Sequence, residues 1–221
     1  MRWYAAIAGT VLLTVGAGLA LASPLLPMAQ GYERIAPRIW VDRAATPAQR
    51  QTVIARVTEA EATAGTDLGS WQAAPRWQVC TSAACDTGGP RGRTYLDRLI
   101  RLRPSVVDDP RFYLHEAIHA ELHNAAGFTG WLGGKRLPVW LDEGVAVLSS
   151  GTDGAPKAAP DCATPAARPP RTPEDFALLA GPKGQTATEA YRLCACATQD
   201  WQAAGNSIDG LTARLRAGET F

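Results

Sequence analysis

From Phe112 to Ala126 the chain has neither proline nor glycine, and start and stop signals bracket the stretch. Asp109 is a natural N-cap, Pro110 fits the first helical position where its missing N–H costs nothing, and Gly127 supplies a C-terminal stop. Leu114, Ile118, Leu122 and Ala125 recur at three- and four-residue intervals, a stripe that can bury against a core. A helix over residues 110–126 follows. All three histidines of the 221-residue chain fall inside it, within His115-Glu116-Ala117-Ile118-His119-Ala120-Glu121-Leu122-His123. The first five of these residues read H-E-x-x-H. At about 3.6 residues per turn, His115 and His119 stand one turn apart on one face. Two imidazoles so placed can grip one zinc ion, with Glu116 pointing at whatever sits beside it.

Chance alone would produce H-E-x-x-H in roughly one chain in a hundred of this size, so a second signal is needed. The run from Leu137 to Leu148, Leu-Pro-Val-Trp-Leu-Asp-Glu-Gly-Val-Ala-Val-Leu, supplies it. Pro138 marks a helix start, and the run after it is apolar apart from Asp142, Glu143 and Gly144. Flanked by Leu141, Val145 and Ala146, Glu143 is expected at a buried boundary, where a carboxylate needs a partner and a metal is a good one. Gly144 and Ala146, nearly bare of side chain, are expected to let this helix approach the histidine helix closely and bring Glu143 to the metal.

His115–His119 followed by W-L-D-E-G-V-A resembles the gluzincin metallopeptidases of the peptidase MA type, thermolysin-like and aminopeptidase N-like enzymes among them. The similarity is greatest to small bacterial peptidase MA-like domains. It spans residues 38–221, although only the two motifs are specific. The resemblance implies one Zn2+ held by His115, His119 and Glu143, with Glu116 as catalytic base. It also implies an α+β, zincin-like fold: a small mixed sheet, a metal-binding helix pair and C-terminal helices. Two departures stand out. The interval between His119 and Glu143 is longer than the resemblance leads one to expect. The thermolysin-like enzymes also carry a supporting Asp four residues after the glutamate ligand, where this chain has Val147. Asp142 is the nearest substitute as an acceptor for a ligand imidazole, or else an exposed first-turn acid. Related enzymes stabilise the oxyanion with a Tyr or His from the later helices, which makes Tyr191 a candidate; packing in the core is its other reading.

His123 lies roughly 80° around the helix from His115 and nearly two turns along it, too far for all three histidines to reach one ion. A supporting or substrate-contacting role and an ordinary polar helix position both stay open.

The chain begins with Arg2, Trp3 and Tyr4, and then carries no charge from Ala5 to Ala22. A helix over residues 3–22 would rise about 30 Å, enough to cross a hydrocarbon core. Ala20-Leu21-Ala22 before Ser23 also resembles a signal-peptidase site. Residues 1–22 are therefore a signal peptide or an N-terminal membrane anchor, and either places the remainder outside the cytoplasm. The five cysteines all fall in that exported part. Cys80 and Cys85 can bridge a short loop, and Cys162 can pair with Cys194 or Cys196.

Residues 23–37 read as a linker before one domain over 38–221. Within it, 38–109 contains the sheet, 110–150 the metal-site helices, 151–173 a Pro- and Ala-rich loop and 174–221 the closing helices. Strands are expected at Ile39–Val41, Trp77–Cys80 and Tyr95–Arg103, and a helix from Pro47 that ends near Gly65. Arg91, Arg93, Arg98, Arg101 and Arg103 form a basic edge that is either simply solvated or meets an acidic substrate. A net charge of +1 gives no reason to invoke nucleic acid.

The function expected is an exported or membrane-anchored zinc metallopeptidase acting on a peptide or protein. The alternatives are a non-catalytic zincin-fold binding domain of the cell envelope and a zinc amidase acting on a non-peptide amide. Glu116 argues against the binding domain, which has no need of a base beside a metal.

Overall fold

The computed structural model describes residues 31–95, 97–127, 136–152, 162, 168–181 and 187–221. Among these residues the chain is α+β, with a five-stranded mixed sheet and six α-helices. The strands are β1 (Tyr32–Ala36), β2 (Ile39–Asp42), β3 (Arg76–Val79), β4 (Gly92–Tyr95) and β5 (Leu99–Leu102). The helices are α1 (Pro47–Asp67), α2 (Pro110–Ala126), α3 (Val139–Ser150), α4 (Pro173–Ala180), α5 (Ala187–Ala203) and α6 (Leu211–Arg216).

The sheet order is β1-β2-β3-β5-β4. β2, β3 and β5 run parallel in the centre, while β1 and β4 pair antiparallel at the two edges. Strand alternation sorts the side chains by face. Ile39, Val41, Trp77, Val79, Ile100 and Leu102 join the main core together with α1 and α2. Their neighbours point the other way: Arg34, Trp40, Gln78, Arg101 and Arg93 are successive register partners across all five strands. On that second face Tyr32, Trp40 and Cys80 make a separate small cluster.

α1 and α2 start where their capping residues predict. Thr46 caps α1 in a reciprocal box with Gln49, and Asp109 caps α2 through the amide of Arg111. α1 buries Val53, Val57, Ala60 and Ala64, a three- and four-residue stripe. It runs two residues past the expected stop at Gly65. That glycine is needed inside the helix, because a Cβ there would come within 3.1 Å of the Trp71 Cβ.

Three other readings are corrected. The linker over 23–37 is too long, since Tyr32–Ala36 forms edge strand β1. The strand expected over 95–103 is a hairpin, in which β4 ends at Tyr95, a turn passes through Asp97-Arg98, and β5 begins at Leu99. Gly144 does not serve the histidine helix. A Cβ there would lie 2.4 Å from the Cys194 carbonyl oxygen and 2.1 Å from Thr198 Oγ1, so the bare backbone admits α5 instead.

Two disulfides, Cys80–Cys85 and Cys162–Cys196, tie the surface, and Cys194 is a buried free thiol. Such bridges are compatible with an extracytoplasmic location. The segment read as signal peptide or anchor, 1–22, lies outside the described residues; among those that are described, no helix is long and apolar enough to cross a membrane.

Candidate metal centre

α2 and α3 pack side by side, and their facing surfaces bring His115, His119, His123, Asp142 and Glu143 together. The Nε2 atoms of His115 and His119 are 3.1 Å apart. Glu143 Oε2 lies 3.6 Å from the first and 3.3 Å from the second. It is buried and accepts no hydrogen bond. Three acceptor atoms thus converge on one point.

The far sides of both rings fix which nitrogen bears the proton. His119 Nδ1 sits 2.7 Å from Asp142 Oδ1, so it donates to the carboxylate and turns the Nε2 lone pair inward. On His115 the proton is placed through two hydroxyls. Ser150 Oγ donates to the Ala146 carbonyl at 2.7 Å, and its single hydrogen is thereby used. It therefore accepts from Thr152 Oγ1 at 3.0 Å, and that hydroxyl in turn accepts from His115 Nδ1 at 2.8 Å. The His115 Nε2 lone pair also faces the centre. Thr152, wholly buried just past the end of α3, carries no signal in the sequence.

His123 Nε2 is 2.7 Å from Asp142 Oδ2, so one carboxylate accepts from two imidazoles. His119, His123 and Asp142 form a second cluster dense enough in donor atoms to hold a cation. Their 2.7 Å spacings are those of charge-assisted hydrogen bonds, which makes this cluster a brace for His119. Burial pushes the Asp142 carboxyl up, but His119 and His123 outweigh it and hold its pKa far below the usual carboxylate range. Asp142→Asn keeps the shape but leaves one oxygen for two donors. Metal affinity measured by chelator competition is expected to fall about 10- to 100-fold, and unchanged affinity would remove Asp142 from the brace.

Burial also opposes charge on His119, yet Asp142 and Glu143 together raise its pKa well above the usual histidine range. Glu143 goes the other way: its burial is overcome by His119 and His115, and its pKa falls to about 2. A metal takes these groups as neutral imidazoles and an ionised carboxylate, so affinity weakens as pH falls.

Glu116 faces the sheet. Its Oε2 accepts from Thr94 Oγ1 at 2.7 Å. Gly92 on the same strand makes room for it, because a Cβ there would lie 2.4 Å from Oε1. Burial raises the pKa of Glu116, and His115 and His119 only partly counter it. Tyr191 on α5 sets its ring edge-on to His115 with centroids 6.1 Å apart, and packs against Phe176 at 5.1 Å and against the Val147 and Ala195 cluster. The arrangement brings His115, His119, His123, Asp142 and Glu143 together, with Glu116 and Tyr191 beside the histidines, and adds Thr94, Gly92 and Thr152.

A third group, Asp42 with Cys80 and Cys85, also has the spacing of a metal site. Its cysteines are joined to each other, and Asp42 is taken up by Thr81 and Ser82.

No protein-family model matches the chain, and neither does any curated protein or solved structure.

Proposed function

We propose that the protein is a zinc-dependent metallopeptidase of gluzincin type on a zincin-like fold, with His115, His119 and Glu143 holding one zinc ion. One observation carries the reading. The three donor atoms lie 3.1, 3.3 and 3.6 Å apart. Ligands about 2.0–2.2 Å from a tetrahedral ion are separated by about 3.3–3.6 Å; two of these edges lie in that range and the third just below it. Two neutral imidazoles and one carboxylate are a donor set that zinc favours, and three such ligands leave a position for water.

A zinc ion held there supplies acidity to a water molecule and polarises a carbonyl. The remaining work belongs to the chain. Thr94 pins one oxygen of Glu116, and Oε1, on the Gly92 side, takes the proton given up by the attacking water. The same carboxyl then passes that proton to the leaving nitrogen. Its raised pKa suits both duties, since a carboxyl that is too acidic would hold the proton too weakly to deliver it. Tyr191 donates from its hydroxyl to the oxygen that becomes negative as the carbonyl is attacked. β4, an edge strand with no partner beyond it among the described residues, offers backbone groups to an extended substrate. The apolar segment 3–22 directs this domain to the extracytoplasmic side and anchors it there if it is not cleaved.

Removing the metal with a chelator is expected to abolish hydrolysis of a mixed peptide substrate, and stoichiometric zinc to restore it. Hydrolysis that survives in metal-free protein would contradict the reading.

A further inference from the structure

The site is bordered by a strand whose two sides differ in chemistry. Gly92 and Thr94 turn toward Glu116. Arg93 and Tyr95, alternating with them, turn to the opposite sheet face, on which the Cys80–Cys85 loop packs. Arg93 is exposed, and its register partner on β5 is Arg101. Both guanidiniums lie over the Tyr95 ring, 5.0 Å and 5.6 Å from its centroid, and Arg101 Nε also donates to Gln78 Oε1 at 2.8 Å. Like charges placed directly opposite each other on adjacent strands are destabilising. The next residue in the cross-sheet row, Gln78, is neutral and accepts from Arg101.

The ladder also says which backbone groups are available. Arg103 N–H donates to the Arg91 carbonyl at 2.9 Å. Antiparallel pairs alternate, so Arg91, Arg93 and Tyr95 direct their polar groups at β5, whereas Gly92 and Thr94 direct theirs at the open edge. A polypeptide that adds to this edge hydrogen-bonds to Gly92 and Thr94. Its residues opposite those two face Glu116. The residue opposite Arg93 sits in the closer, non-hydrogen-bonded pairing and points its side chain to the arginine face.

We infer that the site selects acidic substrates: polypeptides with Asp or Glu immediately beside the residue that faces Glu116, read by Arg93 with Arg101 behind it. This rests on the peptidase reading. The geometry sets the alternation, because acidic residues two apart fall on the arginine side while the residue between them reaches the reacting centre.

The test is digestion of a positional-scanning peptide library by the zinc-loaded protein and its Arg93→Glu variant, with products read by mass spectrometry. It is accompanied by fluorescence anisotropy of a labelled Asp/Glu-rich peptide and a Lys-rich control. The expected result is a kcat/KM preference for acidic over basic residues of about fivefold or more at alternate positions, inverted by Arg93→Glu. A merely structural role for Arg93 would lower activity without inverting the preference. Cleavage indifferent to charge, or a profile that Arg93→Glu leaves unchanged, would overturn the inference and leave the peptidase reading standing. If no peptide is cleaved but the acidic one binds in an Arg93-dependent way, the arginine surface holds and the peptidase reading fails. Neither cleavage nor binding would sink both.

Discussion

Glu116→Gln is expected to abolish peptide hydrolysis, by about a thousandfold or more, while the chain still binds one metal ion. The substitution keeps the hydrogen bond from Thr94 and the volume that Gly92 leaves open, and removes only the ability to take up and release a proton. None of the three converging donor atoms belongs to Glu116, so metal content should not change. Loss of metal together with activity would contradict the role assigned. The pH profile of the wild type bears on the same point. A base works when deprotonated, and burial raises the pKa of this one. The acidic limb of kcat/KM should therefore lie above the ordinary glutamate range near pH 4.3, with activity falling as pH drops through it. A limb at or below that range would count against Glu116 as the base.

Glu121→Ala is expected to cost about 3–5 kcal/mol of stability, the range found when one partner of a buried ion pair is removed. Glu121 stands on the same helix as Glu116, is fully buried, and points away from the metal centre. Its Oε2 accepts from the backbone amides of Gln72 and Ala73, both at 2.7 Å, and its Oε1 accepts from Ser70 Oγ and from Arg216. One carboxylate thus ties the loop after α1 and the C-terminal α6 to the metal helix. Its loss leaves the buried Ala73 amide, the part-buried Gln72 amide and a guanidinium without their acceptor. Urea unfolding checks this, and a change under about 1 kcal/mol would show that the tie is dispensable.

How far the sequence could be read follows from the range of the interactions involved. The histidine helix was legible to the residue, because Asp109, Pro110 and Gly127 act locally, and so was the short Cys80–Cys85 loop. Glu143 was reached from its apolar neighbours and from the resemblance. The chain gives no such hint of Thr152, Thr94 or Gly92, whose roles exist only once the C-terminal end of α3 and the outer strand have been brought against α2. Glu116 and Glu121 look alike in one dimension. Only packing shows that one turns to Thr94 on the outer strand and the other to the loop after α1 and to α6. The role of His123 is invisible in one dimension for the same reason, since it is Asp142, on a different helix, that gives it a partner. β1 was missed because Tyr32–Ala36 mixes polar and apolar residues, and its pairing with β2 depends on a two-residue turn in which Arg38 adopts φ 66°. That uncommon conformation is held by Glu61, which receives two hydrogen bonds from the Arg38 guanidinium.

The measurement that bears most directly on the metal centre is native mass spectrometry of zinc-loaded protein beside its Glu143→Ala variant. One zinc per wild-type chain, lost or readily stripped in the variant, is the result predicted from three donor atoms closing on one point. Metal absent from well-folded wild type, or held equally by the variant, would contradict it.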